Sequence, residues 1–282
     1  MGIRARFSRI LDTCEPYLVA SPLGAAAEPG PMPLGLAVRP DHHFDPHLVA
    51  SGPFLSALQR LDELTFGPVG MTMPRWVFYD CAEVPGGIFG FARPAEQLPE
   101  WVLRALKVDA DYDGPVPLSM FVAIPMMEPG NWHIYTLCSV NEVAPGSAPV
   151  GLRQLTQAAA LATFGVETAY GATQWRSHKL SVHAHFGPLE LLTAWTPAHS
   201  DPATLTFRFP VSKARLEHAL ASGPTAARGP LPDRSRLVDC DDEDELRALQ
   251  AALEAGDRLE VVGGRILEGS FARVPVREIE AP

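Results

Sequence analysis

Three stretches of the chain gather residue types that can do chemistry. In the first, His133, Tyr135, Cys138 and Glu142 lie on or just after a strand-like run at 132–140. Period-two alternation puts His133, Tyr135 and Leu137 on one face and Thr136 and Cys138 on the other. A nucleophilic thiolate at Cys138 needs a neighbouring base or cation, whereas a buried free cysteine behaves as a small hydrophobe. Glu142, or Glu128 before the strand, has the chemistry of a general base, and either also serves as a solvated carboxylate. The second stretch holds His178, His183, His185 and His199. His183 and His185, two apart, do not share a helix face. No cysteine or carboxylate completes a zinc-ligand spacing there. The third, Asp41 to His47 around Pro46, carries ligand types but reads as a polar turn. No metal site is expected.

The segment after the first stretch is the most informative. A loop with Gly146 and Gly151 follows the strand, and GLRQLTQAAALATF at 151–164 reads as a helix ending at Gly165. A loop entering a helix N-terminus presents backbone N–H groups that suit a phosphate or pyrophosphate. A strand at 167–175 comes next. A short helix at 177–185 follows, with Ser177 as its N-cap and Gly187 as its stop.

Together, WHIYTLCSVNEVAPGSAPVGLRQLTQAAALATFGVETAYGATQWRSHKLSVHAHFG over 132–188 resembles the cofactor-binding core of the GNAT-like N-acetyltransferases. That family has a strand, a loop of pattern Q/R-x-x-G-x-G/A, a helix, a strand, and a short helix ending in Tyr-x-x-x-Gly. The resemblance implies that the loop holds the pyrophosphate of acetyl-CoA, or another acyl-CoA, and that the preceding strand meets the acetyl group. By position Gly151 falls on the last glycine, Pro149 on the middle one and Gly146 on the leading Gln or Arg. The last two depart from the pattern, and proline has no N–H to give a phosphate. The resemblance assigns cofactor contacts to Cys138, Val140, Gly146, Val150, Gly151, Leu152 and Ser177. It places His183, four residues before Gly187, where the family has the tyrosine that protonates the leaving thiolate. Tyr135 lies on the acyl-orienting strand, and Glu142 and Glu128 are the base candidates.

The elements that must position these residues are short and sharply ended, because 28 of the 282 residues are proline. A short basic helix and a Gly/Ala/Pro-rich linker occupy 1–33, and a strand is expected at 34–38. Apolar residues at Phe54, Leu55, Leu58, Leu61 and Leu64 are spaced as a helix, with Pro53 in its first turn. Runs at 76–81 and 87–92 around Pro85-Gly86-Gly87 read as a hairpin, and 116–127 with 132–140 as a second. A short helix lies at 99–106, strands at 189–195 and 204–209, and a linker at 223–233. A helix with an acidic first turn is expected at 241–255, then a hairpin of 258–262 with 265–271. The fold class is α+β, or mixed α/β: a largely antiparallel twisted sheet flanked by helices, GNAT-like, with a small C-terminal helix–hairpin extension. The expected divisions are 1–33, 34–221 and 222–282.

Hydrophobic residues make up 46% of the chain and charged residues 20%, enough for a core and too apolar for a disordered chain. A net charge of −10 argues against nucleic acid as the partner. No apolar run reaches membrane-helix length, and the N-terminus lacks the apolar core of a signal peptide. Four cysteines without paired spacing fit a reduced compartment, so a cytoplasmic, bacterial setting is expected. The first expectation for function is acyl-CoA-dependent transfer, acetyl in the simplest case, to an amine of a small molecule or protein. Alternatives are a GNAT-like binding or scaffolding protein that has lost CoA, and a histidine-dependent hydrolase or lyase. A homodimer through a terminal sheet edge is compatible with either class.

Overall fold

A computed structural model describes residues 2–20, 32–83, 87–222, 234–269 and 271–279. The chain divides into two compact units, 1–130 with 134–166, and 131–133 with 167–282. The expected boundaries near 33 and 221 fall inside these units. The expected linker at 223–233, most of the one before 33, and the Pro85-Gly86 turn lie outside the described residues.

In the first unit, two short helices, α1 (Ile3–Arg6) and α2 (Ser8–Thr13), precede β1 (Glu15–Val19) and the brief β2 (His43–Phe44). Then come α3 (Gly52–Phe66), α4 (Arg75–Glu83), β3 (Gly87–Pro94), α5 (Glu100–Ala105), β4 (Pro115–Pro125), β5 (Asn131–Ser139, its first three residues counted with the second unit) and α6 (Leu152–Thr163). The strand order is β5-β4-β3-β1-β2. β3 is antiparallel to β1 and β4, and β2 is parallel to β1. The apolar stripe of α3 is buried at Phe54, Leu55, Leu58 and Leu61. Phe54 stacks on Phe44 at 3.6 Å between centroids and meets Tyr17 edge-on at 4.8 Å.

In the second unit, β6 (Thr168–Gln174), α7 (His178–Ala184), β7 (Leu189–Thr193), β8 (Thr204–Pro210) and α8 (Lys213–Ala221) lead into a C-terminal extension. The extension comprises β9 (Arg236–Asp239), α9 (Glu243–Glu254), β10 (Leu259–Val261), β11 (Ile266–Glu268) and β12 (Phe271–Glu278). The order is β6-β8-β7-β10-β12-β11, with β9 also on β12. Every pair is antiparallel. The extension therefore continues a sheet, because β10 pairs with β7 through Glu260–Glu190 and Val261–Leu189. Both units are thus mixed α/β, with largely antiparallel sheets and helices against them.

Three expectations about elements change. The run 76–81 is helical: Val77, Phe78 and Cys81 are buried while Trp76, Tyr79 and Asp80 are exposed, a period near 3.6 rather than 2. Residues 34–38 form no strand; a 3₁₀ turn at Pro33–Gly35 stands there, with Leu34 left-handed at φ 64°. The strand of that region is β1, earlier in the chain. The terminal hairpin is β11–β12, because β10 and β11 pair with β12 and not with one another.

Candidate functional site: the loop before helix α6

β5 ends at Ser139, and the chain turns through a 3₁₀ turn at Val140–Glu142. The turn closes itself. Asn141 N–H donates to Ser139 Oγ at 3.3 Å, and Ser139 N–H donates to Glu142 Oε1 at 3.2 Å, a capping box. The Asn141 side chain then acts as a strand-like rung across the loop. Its Nδ2 donates to Ala148 C=O at 2.8 Å, and its Oδ1 accepts from Ala148 N–H at 2.9 Å. Ser147 Oγ and N–H both reach Ala144 C=O. Glu142 also pairs with Arg153 on the first turn of α6 at 3.3 Å, both side chains largely covered. The loop is thereby stitched at both ends before any ligand arrives.

Its exit is glycine-dependent. Gly151 is the N-cap of α6 at φ +90° and has no side chain with which to cap the first turn. A β-carbon there would also stand 3.0 Å from the ring of Phe7, which is buried against it. Gly146, at φ +84°, has open space around it, and Val150 is 79% exposed. Helices leave their first N–H groups without intrahelical partners. Gly151 has no side chain to satisfy them, and such a terminus has the dipole and donors that suit an anion. Pro149 supplies no donor.

The helix carrying this terminus is locked to the sheet. Thr156 donates to Leu152 C=O at 2.7 Å, so the Ser119 hydroxyl donates to Thr156 at 2.7 Å and accepts from Phe91 N–H at 3.1 Å. β3, β4 and α6 are thus joined by one buried chain of polar groups.

The expected site residues separate into groups. Val140, Glu142, Gly146, Val150, Gly151 and Leu152 come together in the loop and at the start of α6; Val140 and Leu152 are buried. Cys138, fully buried, precedes them, and its nearness adds to the burial that raises the Tyr17 phenol. Tyr135 lies mid-strand and is 44% exposed. Burial first, then the charges of Asp62 and Cys81, push its hydroxyl above the ordinary tyrosine range. Glu128 sits in the exposed turn before β5. The nine residues of β5, about 3.3 Å each, separate it from Glu142. In the second unit, Ser177 caps α7 by accepting from Lys179 N–H at 3.2 Å. His183 is 4% exposed, its ring 5.2 Å from that of Phe207. Among the described residues no three His, Cys, Asp or Glu side chains gather as a metal site would require.

Several residues of the site were not singled out from sequence. Asn141 carried a usable signal, since Asn just past a strand readily bonds nearby backbone. Arg153 and Phe7 had none, because their partners are distant in sequence or depend on the fold. Asp62 did carry one: it lies four residues after Leu58, on the buried stripe of α3. It is 1% exposed and accepts from Met73 N–H at 2.7 Å.

No family model matches the chain, and no curated protein matches it. Solved structures that are similar to it include two acetyltransferases. One is aminoglycoside 6'-acetyltransferase type Ii, 13% identical over 57% of this chain and 93% of that one, with a TM-score of 0.37. The other is the ribosomal-protein-S18-alanine N-acetyltransferase from Escherichia coli, 9% identical over 58% and 90%, TM-score 0.38. A chain of the NatC complex bound to Gag peptide and CoA is 10% identical over 59% and 96%, TM-score 0.38. Nothing about activity follows from likenesses of this depth. No helix among the described residues is long and apolar enough to cross a membrane.

Proposed function

We propose that the chain is an acyl-CoA-dependent acyltransferase of the GNAT-like kind, acting on an amine of a small molecule or protein. One observation carries this reading: the N-terminus of the twelve-residue α6 is entered through left-handed Gly151, which brings no side chain of its own, from a pre-stitched loop. Such a terminus suits a pyrophosphate, which needs converging N–H donors and a favourable dipole. The residues present fit the group with one donor missing, at Pro149. Gly146, Val150 and Gly151 are proposed to line the approach, with buried Leu152, Val140 and Cys138 supporting it from beneath, and Ser177 holds the start of α7.

In the reaction the acceptor amine attacks the thioester carbon. A C–N bond forms, the C–S bond breaks, and the thiolate leaves with a proton. His183 is proposed to supply that proton. Tyr135, with its raised pKa, stays a neutral hydrogen-bond donor near pH 7 and is proposed to orient the acyl oxygen or the acceptor. Glu142 is occupied by Ser139 and Arg153, so its proposed role is holding the loop. Glu128 is then the carboxylate proposed to take the amine's proton, which Glu128→Gln tests.

A second reading, a binding protein of the same fold without the cofactor, is favoured by Pro149 and by Phe7 packed on Gly151. Thermal unfolding with and without acetyl-CoA, free CoA and a longer acyl-CoA separates the two. A ligand at 100 times its dissociation constant adds about 2.7 kcal/mol, a shift of several degrees. Pro149→Gly restores a donor and should enlarge that shift. No shift with any of the three compounds overturns the acyltransferase reading in favour of the second.

A further inference from the structure

A cavity in the first unit lies between one face of α3 and one face of α4, with no residue of the α6 loop in its lining. It holds about 290 Å³, near the lower end of small-molecule sites, which run from about 300 to 1,000 Å³. Its floor is apolar, with Leu55 and Phe78 both buried. Four polar side chains surround that floor: Ser56 and Gln59 from α3, Arg75 and Tyr79 from α4. None of the four makes a side-chain hydrogen bond or ion pair with another described residue. Most other arginines described here are paired, among them Arg60, Arg104, Arg208, Arg247 and Arg277. His47 closes one side, its ring 6.2 Å from that of Tyr79. No aspartate or glutamate lines the cavity, in a chain whose net charge is −10.

The geometry points to a binding site for a small carboxylate with an aromatic or branched apolar body. Arg75 carries the one formal charge of the lining, so an anion is drawn here by the lining itself. Arg75 offers a planar fork that matches a carboxylate in two parallel hydrogen bonds. Gln59, Ser56 and the Tyr79 hydroxyl supply further donors, while Leu55 and Phe78 take the apolar body. An amine ligand would meet Arg75 with like charge and find no acid. The site is independent of acyl-CoA and stands whether or not that reading does.

The test titrates the full chain with 3-phenylpropionate and with 4-methylpentanoate, beside the corresponding amides and 3-phenylpropylamine, by calorimetry and amide NMR. At least one carboxylate should bind at about 1 mM or tighter, with shifts confined to residues 46–59 and 75–79. Loss of the charge, in the amide or in Arg75→Gln, should weaken binding about tenfold or more. Ser56→Trp, at an exposed helix position, should plug the cavity and abolish binding while the thermal midpoint holds. The proposal is overturned if neither carboxylate saturates by about 10 mM, if the amides bind as well, or if Arg75→Gln changes nothing. An acetyl-CoA titration of the same sample reads the other site, so failure of one leaves the other standing.

Discussion

The hydroxyls of Ser119 on β4 and Thr156 on α6 lie 2.7 Å apart in the interior of the first unit. They are the middle of a directional chain from Phe91 N–H to Leu152 C=O, so each hydroxyl both gives and receives. Thr156→Val removes the acceptor and leaves the buried Ser119 O–H without one. That costs about 1–3 kcal/mol, readable as a lower urea midpoint with unchanged m-value. Thr156→Ser keeps the chain and should recover most of the loss. A loss in Thr156→Ser with none in Thr156→Val would mean that the methyl group, not the hydroxyl, holds α6.

Much of the scaffold around this contact is legible in the sequence. The α6 run has no helix breaker between Gly151 and Gly165, and its strand–loop–helix–strand order survives intact. The misreadings have local causes. Five residues with Pro16 among them do not announce a strand, yet β1 sits between β2 and β3, with Pro16 opposite Phe91. At 76–81 the apolar run is too short to fix a period, and packing of Val77, Phe78 and Cys81 decides for helix. α8, capped by Ser212, has only Leu216, Ala219 and Leu220 buried, too few apolar positions to set a period in KARLEHALA. At the site, the glycines were visible and the stitching was not. The Asn141–Ala148 rung and the Glu142–Arg153 pair exist only once the loop has its conformation.

Gly90 on β3 is there because Tyr17 must reach across it. Tyr17 donates to Ser119 C=O at 2.7 Å. A β-carbon on Gly90 would stand 2.0 Å from that carbonyl oxygen and 2.5 Å from the Tyr17 hydroxyl. Gly90→Ala should therefore cost about 3 kcal/mol or more, well above the cost of Tyr17→Phe, about 1–2 kcal/mol. Since the closer clash is with backbone, adding Tyr17→Phe to Gly90→Ala should not rescue it. Rescue in the double variant would place the conflict on the tyrosine alone.

Gln157 lies on α6 with both amide atoms buried, and neither has a hydrogen-bond partner among the described residues. An unsatisfied buried amide is unfavourable, and replacing it by an apolar group of similar shape is neutral or better. Gln157→Met keeps length and flexibility and should raise the unfolding free energy by about 1 kcal/mol. A loss of similar size instead would reveal a buried water bonded to the amide.

Glu190 on β7 takes two bonds from Arg208 on β8, at 2.8 and 3.1 Å, and two from Arg258, at 3.2 and 3.0 Å. The hydrogen bonds from Arg208 hold its carboxyl below the usual carboxylate range; partial burial opposes them and Arg258 adds to them. In the unfolded chain the group titrates near pH 4.3, about the ordinary glutamate value. The folded protein therefore binds fewer protons than the unfolded one in that region, and stability rises with pH there. The contribution is complete above about pH 5 and is lost as pH falls through the lower folded pKa. Glu190→Gln keeps the shape and removes the charge, so it should cost about 1 kcal/mol near neutral pH. Denaturant titrations of both proteins at about pH 7, 5 and 3 should show that difference shrinking only at the last value. A difference that stays constant down to about pH 3 would mean that the two arginines hold the extension by packing and not by charge.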